Sequence, residues 1–275
     1  MLSSKPITPP NLILGDCRHI MADMPQQTVD LVVTSPPYNL GIGYTSFQDN
    51  APRQDYLDWC REWATQIQRI MTDQASFFLN VAGSPSNPLL PYQIIHTLAD
   101  GANPLFVLQN TFHWVKSITI RNPKGEHTSA GHFKPINSKR FVNDCHEFVF
   151  HLTKSGVVEL DRRAAGVPYA DKSNITRFQH TGGIDRRCRG NTWFIPYETI
   201  RSRENQRPHP ATFPVELAAQ CIRIHGNPEK TRMLDPFLGI GSSAAAAQQE
   251  NVGLFTGIEI DAGYLETAKK RINGR

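Results

Sequence analysis

Apolar positions along the chain follow two periods in turn. Asn11–Gly15 (NLILG) and Val29–Thr34 (VDLVVT) are short, nearly continuous apolar runs, the pattern of strands buried on both faces. Between them Asp16–Met24 reads as a short helix closed by Pro25. Asp55–Met71 sets Tyr56, Trp59, Cys60, Trp63 and Ile67 three or four residues apart, which predicts an amphipathic helix. Ala75–Val81, Phe106–Lys116 and Glu147–Leu152 predict strands, and Leu90–Ala99 a helix. Asn39–Asn50, rich in glycine and polar residues, predicts a loop. From Thr153 to about Ile200 the periodicity fails, with aromatics scattered among Gly, Arg, Asn and Thr. It returns as helix Pro214–His225, strand Arg232–Leu234, helix Ser242–Gln249, strand Leu254–Ile260 and helix Tyr264–Ile272. Strands alternating with helices predict an α/β fold, its mostly parallel sheet covered on both faces, with residues 153–200 as an insertion.

Composition fits that picture. With 275 residues, 39% apolar and 20% charged, the chain can bury one large core and does not have a disordered composition. No apolar run reaches about 18 residues, and the first ten residues lack a signal-like apolar stretch, so a cytoplasmic protein is expected. The five cysteines (17, 60, 145, 188 and 221) contain no C-x-x-C pair, and the ten histidines show no ligand spacing, so no metal is expected. The net charge of +4 is uneven: Lys116–Arg207 holds 17 basic against 9 acidic residues. Such a segment suits a polyanion, although a solvated basic surface has the same composition.

Two loops carry candidate chemistry. Asp235-Pro-Phe-Leu-Gly-Ile-Gly-Ser-Ser243 joins a strand to a helix, and Gly239 and Gly241 let the backbone approach a ligand closely. The helix start that follows presents free N–H groups to an anion. Glu259, about 20 residues beyond and at the next strand end, can accept both ribose hydroxyls of a nucleoside. Gly239-x-Gly241-x-x-Ala244 also meets a loose dinucleotide fingerprint, which keeps a nicotinamide-dependent oxidoreductase open. Asp235 argues against it: a carboxylate there opposes a pyrophosphate but suits a cationic, amino-acid-bearing ligand.

The second loop, Thr34-Ser-Pro-Pro-Tyr-Asn39, ends the strand Val29–Val33. Its paired prolines fix the backbone and remove two N–H donors, leaving carbonyls free to accept. Ser35 before them and the Tyr38 ring after them offer acceptors beside an aromatic face, suited to a planar group carrying an NH2. A proline-terminated strand with a core tyrosine is the plainer reading.

Taken together, these residues resemble a known family. Thr34-Ser35-Pro36-Pro37-Tyr38 resembles the catalytic motif of the amino-methylating DNA methyltransferases, and Asp235-Pro-Phe-Leu-Gly-Ile-Gly-Ser their S-adenosyl-L-methionine loop. The catalytic motif precedes the cofactor loop by some 200 residues, as in the β-group of these enzymes. Leu14-Gly15-Asp16-Cys17, His146-Glu147-Phe148 and His209-Pro-Ala-Thr-Phe-Pro214 agree with it. The resemblance implies a Rossmann-like class I methyltransferase fold: a circularly permuted, seven-stranded sheet with a small target-recognition insertion. Residues 1–152 would be the catalytic half, 153–200 the insertion and 201–275 the cofactor half. Opening the ring between the last helix and Asn11–Gly15 would leave such a sheet intact.

The resemblance further implies that Asp16, Phe213, Phe237 and Ser242 join Asp235, Gly239, Gly241 and Glu259 around the cofactor, with His209 nearby. Ser35 and the Pro36 carbonyl would accept the hydrogens of an exocyclic amino group, held by the Pro37 turn, while Tyr38 stacks on the base. The base would be flipped out of double-stranded DNA. Lys139, Arg140, Arg177, Arg186, Arg187 and Arg189 are the candidate DNA contacts. Serine before Pro-Pro-Tyr favours cytosine N4 over adenine N6 by resemblance. A ring-carbon methylase would need a cysteine after proline, and none of the five is so placed. An RNA or protein methyltransferase, usually with asparagine before Pro-Pro-Tyr and the cofactor loop first, and an inactive DNA-binding relative are the other readings. A restriction-modification or orphan setting, in a bacterial, archaeal or phage-infected cytoplasm, is implied, with a homodimer and a cognate endonuclease as further expected partners.

Overall fold

The structure, a computed structural model, describes residues 9–131, 133, 136–196 and 212–274. The chain begins with β1 (Asn11–Leu14), α1 (Cys17–Asp23), β2 (Val29–Thr34), α2 (Arg53–Ile70), β3 (Met71–Val81) and α3 (Leu90–Ala99). It continues through β4 (Val107–Val115), a hairpin of β5 (Ser117–Arg121) and β6 (His127–Gly131), and β7 (His146–Thr153). Then come α4 (Ser173–Arg177), β8 (Thr192–Phe194), α5 (Val215–His225), β9 (Arg232–Asp235), α6 (Ser242–Gln249), β10 (Leu254–Glu259) and α7 (Ala262–Ile272). No helix among the described residues is long and apolar enough to cross a membrane.

Among the described residues the main sheet has eight strands in the order β1-β10-β9-β2-β3-β7-β4-β8. The expected count was seven. The additional strand is the three-residue β8, which pairs in parallel with the edge of β4 through His113 to Val115. β1, β10, β9, β2 and β3 run parallel, and β7 is antiparallel to both β3 and β4. The first strand therefore lies beside the last, Leu14 opposite Glu259, as a cut between α7 and β1 requires.

Alternation along the strands explains the two apolar layers. In β2, Leu31 and Val33 enter one core with Ala218, Ile222, Ala246 and Leu265 of α5, α6 and α7. Val32 enters the opposite core with Met21, Trp63, Ile67 and Ile94 of α1, α2 and α3. Both faces are thus covered, which is why VDLVVT is nearly continuous rather than alternating. Gly241, at φ +82°, caps α6, and a Cβ there would meet Cβ of Ala268 on α7 at 3.0 Å. The glycine sets how closely the two helices approach.

Residues 153–196 contribute to this core. Trp193 is 1% exposed, stacks on Phe112 with ring centroids 4.4 Å apart, and shares a cluster with Ala165 and Ile195. The β5–β6 hairpin, absent from the sequence reading, forms a separate two-stranded sheet leaving the chain where β4 ends. Its turn is held by Asn122, whose Oδ1 accepts from the N–H groups of Lys124 and Glu126. The expected result for Trp193→Ala is a loss of about 3–5 kcal/mol in urea denaturation, typical of a buried aromatic. A loss below about 1 kcal/mol would make this strand peripheral.

Candidate active site

Four strand ends and their loops converge on one pocket. β1, β10, β9 and β2 are parallel neighbours, so the residues following each strand lie side by side along one edge of the sheet. That edge, at the carboxyl ends of parallel strands, is where open α/β sheets place ligands. Asp16, Ser35, Pro36, Pro37 and Tyr38 line the pocket from one part of the chain. Phe213, Phe237, Gly239, Ser242 and Glu259 line it from the other. Two expected cofactor residues do not line it, Asp235 and Gly241, and His209 lies outside the described residues.

Asp235 corrects the sequence reading. Rather than facing a cationic ligand, its carboxylate is fully buried and receives three hydrogen bonds. The hydroxyls of Thr34 and Ser243 donate to it, as does the N–H of Phe237 at 3.0 Å. It therefore ties the end of β2, the glycine loop and the start of α6 together beneath the pocket. Burial pushes its carboxyl up to about 6, against the downward pull of the three donors. Gly241 likewise acts from behind, through its contact with α7.

Glu259 does face the pocket, 8% exposed. Its Oε2 accepts from Gly239 N–H at 2.7 Å and its Oε1 from Asp261 N–H at 2.9 Å. Each oxygen keeps a second lone pair for a diol. Burial holds this carboxyl above its ordinary value. Asp16 caps α1 through Arg18 N–H and pairs with the Arg18 guanidinium at 2.8 Å, so any ligand amino group must share it. Arg18, by its hydrogen bonds, holds that carboxyl below the usual range and also reaches Glu62 at 2.6 Å.

Helix α2 and the Asn39–Asn50 loop supply further walls. Trp59 of α2 faces Phe237, with ring centroids 5.5 Å apart, and Phe47, at 5.1 Å, making an aromatic recess. Phe47 lies in the Asn39–Asn50 loop, which Asp49 gathers by accepting the N–H groups of Asn39, Leu40 and Ile42. Ser46 of the same loop donates to Asp261 at 2.7 Å, bridging the two halves of the chain. At the opposite end, the Tyr38 hydroxyl lies 2.6 Å from Ser35 Oγ and donates toward the Asn80 carbonyl at 3.1 Å and Glu147 at 3.3 Å. The Tyr56 hydroxyl donates to the Pro37 carbonyl at 2.8 Å, fixing the double-proline turn. Glu147 belongs to the His146-Glu147-Phe148 segment and Asn80 stands next to the end of β3. Only the pairing of β3 with β7 brings them together.

The basic candidates lie apart from this wall. Lys139 and Arg140 are exposed in the connection from β6 to β7, which returns to the sheet where His146 pairs with Val115. Arg177 is exposed over the Phe178 ring, at 5.5 Å. Arg186 donates to the backbone carbonyls of Arg163 and Ala164, and Arg187 to that of Cys188. Arg189 is half-buried, and no hydrogen bond reaches its Nε among the described residues.

A parallel sheet edge bearing a fixed carboxylate, a glycine loop and a helix start is an arrangement that holds a nucleoside-bearing cofactor. Residues 29–270 match the family model described as DNA methylase, and the chain belongs to this N6/N4 DNA methylase family. It is 28% identical over 264 residues to the Type II methyltransferase M.ScaI of Streptomyces caespitosus, covering 94% of this chain and 79% of that one. Its fold is similar to that of PvuII DNA methyltransferase (cytosine-N4-specific), with a TM-score of 0.68, 18% identity, and coverage of 96% of this chain and 86% of that one. The M1.HpyAVI–SAM complex is also similar, at a TM-score of 0.59 and 21% identity, covering 96% and 100% of the two chains. S-adenosyl-L-methionine is the cofactor, and the pocket's aromatic recess, fixed carboxylate and helix start fit its adenine, ribose and amino-acid parts.

The Asp235 clamp gives a pH signature. Its folded value, about 6, exceeds the 3.8 of an ordinary aspartate, so the folded chain holds this proton more tightly than the unfolded one. That contribution is fully present below about pH 3.8 and is lost as the pH rises through about 6. Urea denaturation at stepped pH is expected to show wild-type stability falling by up to about 3 kcal/mol relative to Asp235→Asn across that window. The two should run parallel above it; curves parallel throughout would contradict the assignment.

Proposed function

We propose that the protein is a site-specific modification methylase transferring a methyl group to the exocyclic amino group of a base flipped from duplex DNA, cytosine N4 in preference to adenine N6. The observation that carries this reading is the meeting of Thr34-Ser35-Pro-Pro-Tyr38 with the glycine loop in one pocket, joined underneath by Asp235. When bound, S-adenosyl-L-methionine supplies a methyl group activated by its sulfonium. Glu259 holds the ribose, the start of α6 at Ser242 receives the carboxylate, and the Phe237–Trp59 recess takes the adenine.

An exocyclic amino nitrogen is a poor nucleophile because its lone pair is delocalised into the ring. Ser35 Oγ and the Pro36 carbonyl accept its two hydrogens and turn the lone pair out of the ring plane. Tyr38 stacks on the base, a contact worth about 1–3 kcal/mol. Extrusion from the duplex costs a few kcal/mol. Lys139, Arg140, Arg177, Arg187 and Arg189 offset it through phosphate contacts, whereas Arg186 serves chiefly to hold its own loop. Serine directly before Pro-Pro-Tyr supports cytosine N4. The likeness to M.ScaI supports a Type II restriction-modification setting in the cytoplasm, with a cognate endonuclease and a homodimer as proposed partners.

Ser35→Ala is expected to lower turnover about 100-fold or more while the cofactor Kd stays within twofold; an unchanged kcat removes Ser35 from the chemistry. Glu259→Ala is expected to weaken cofactor binding at least tenfold by calorimetry, and an unaltered Kd would contradict the ribose contact. Nucleosides from DNA incubated with protein and labelled methyl donor should contain N4-methylcytosine. N6-methyladenine would establish the alternative base, and label in neither would end the reading.

A further inference from the structure

We propose that Glu147 receives the proton released when the target amino group is methylated, reached through Ser35 and Tyr38. This rests on the reading of Ser35 as the amino-group acceptor. Glu147 is the second residue of β7, and its side chain is 10% exposed at the pocket wall. Its Oε2 accepts from Asn80 Nδ2 at 3.1 Å and from the Tyr38 hydroxyl at 3.3 Å, while Oε1 meets the Lys116 ammonium at 3.1 Å. Tyr38 in turn lies 2.6 Å from Ser35 Oγ. A continuous chain of exchangeable protons therefore leads from the acceptor serine to a carboxylate.

The direction of this chain follows from what Ser35 must do. A serine hydroxyl has one donor and two acceptor sites. To accept from an amino group with both lone pairs free, Ser35 must place its own proton elsewhere, and Tyr38 oxygen is in position to take it. Tyr38 then donates onward to the Asn80 carbonyl or to Glu147. Either partner can set the orientation, but only the carboxylate can keep a proton.

The balance is simple. As the methyl bond forms, the amino nitrogen carries one proton more than the neutral methylated product. That N–H bond breaks and the proton passes to Ser35 Oγ. The original Ser35 proton moves to Tyr38 oxygen, and the Tyr38 proton to Glu147 Oε2. Both hydroxyls end as they began, Glu147 becomes a carboxylic acid, and it returns the proton to water at the pocket wall before the next turnover. Lys116 offsets the carboxylate charge between turnovers.

The test is Glu147→Gln, which keeps an acceptor for Tyr38 but cannot take up a proton. At saturating cofactor and DNA, single-turnover methyl transfer is expected to fall about 100-fold, within the usual range for a positioned base. Cofactor and DNA Kd should stay within twofold. Tyr38→Phe breaks the same chain at its middle, so the double variant is expected to be no slower than the slower single variant. A wild-type rate in Glu147→Gln, or losses that multiply in the double variant, would overturn the relay. The wild-type methylated nucleoside and the Ser35→Ala rate judge the underlying reading separately, because neither depends on Glu147.

Discussion

The buried carboxylate of Asp235 is the constraint on which the site depends. A carboxylate with no exposed surface is costly unless its lone pairs are used, and here three donors from three different segments use them. Thr34 is the last residue of β2, one position before Ser35, and lies 201 residues from Asp235 in the chain. The hydrogen bond between them joins the serine-proline loop to the glycine loop directly. Loss of any donor would leave a buried acceptor poorly satisfied, so the two loops are coupled by the penalty for separating them.

From this clamp the rest of the pocket follows by register. Asp235 sits opposite Gly257 on β10, which places Glu259 just beyond the end of β9, and Glu259 sits opposite Leu14 on β1, which places Asp16 beyond that. Ligand-facing groups are thereby spread along one sheet edge from Asp16 to Ser35. The Asn39–Asn50 loop crosses the gap above, gathered by Asp49 and joined to Asp261 through Ser46. Interactions that create the cavity are hydrogen bonds to backbone and buried carboxylates, while its aromatic recess comes from Trp59 of α2 and the loop residues Phe47 and Phe237. Asp235 fixes position from behind the pocket, whereas Glu259 both faces it and holds the backbone of Gly239 and Asp261.

Much of the fold was legible because each strand is buried on both faces and each long helix on one. VDLVVT and the three- and four-residue spacing of Tyr56, Trp59, Cys60 and Trp63 mark β2 and α2 without ambiguity. What escaped has physical causes. β8 is three residues long, and its Trp193 sits in a glycine- and arginine-rich stretch, so only the partner strand reveals it. The β5–β6 hairpin depends on an asparagine-built turn rather than on core burial. Ser35, Tyr38, Gly239 and Glu259 line the pocket because each sits at or just beyond a strand end, where the loops flagged in the sequence lie. Asp235 was assigned the wrong neighbour, since sequence shows that a carboxylate follows the strand but not which way it points. Glu147 and Asn80 acquire meaning only through strand pairing across the sheet.

In the proposed reaction, a fixed polar clamp brings the serine-proline loop against the reactive end of the cofactor. A crystal structure of the protein with S-adenosyl-L-methionine tests this most directly, through the gap left between the sulfonium methyl carbon and the plane of Ser35 Oγ and the Pro36 carbonyl. Room is expected for one nitrogen in reacting distance of that carbon, about 3–3.5 Å, with both acceptors facing it. A methyl group directed toward the Trp59 recess, or screened from Ser35 by protein atoms, would contradict it.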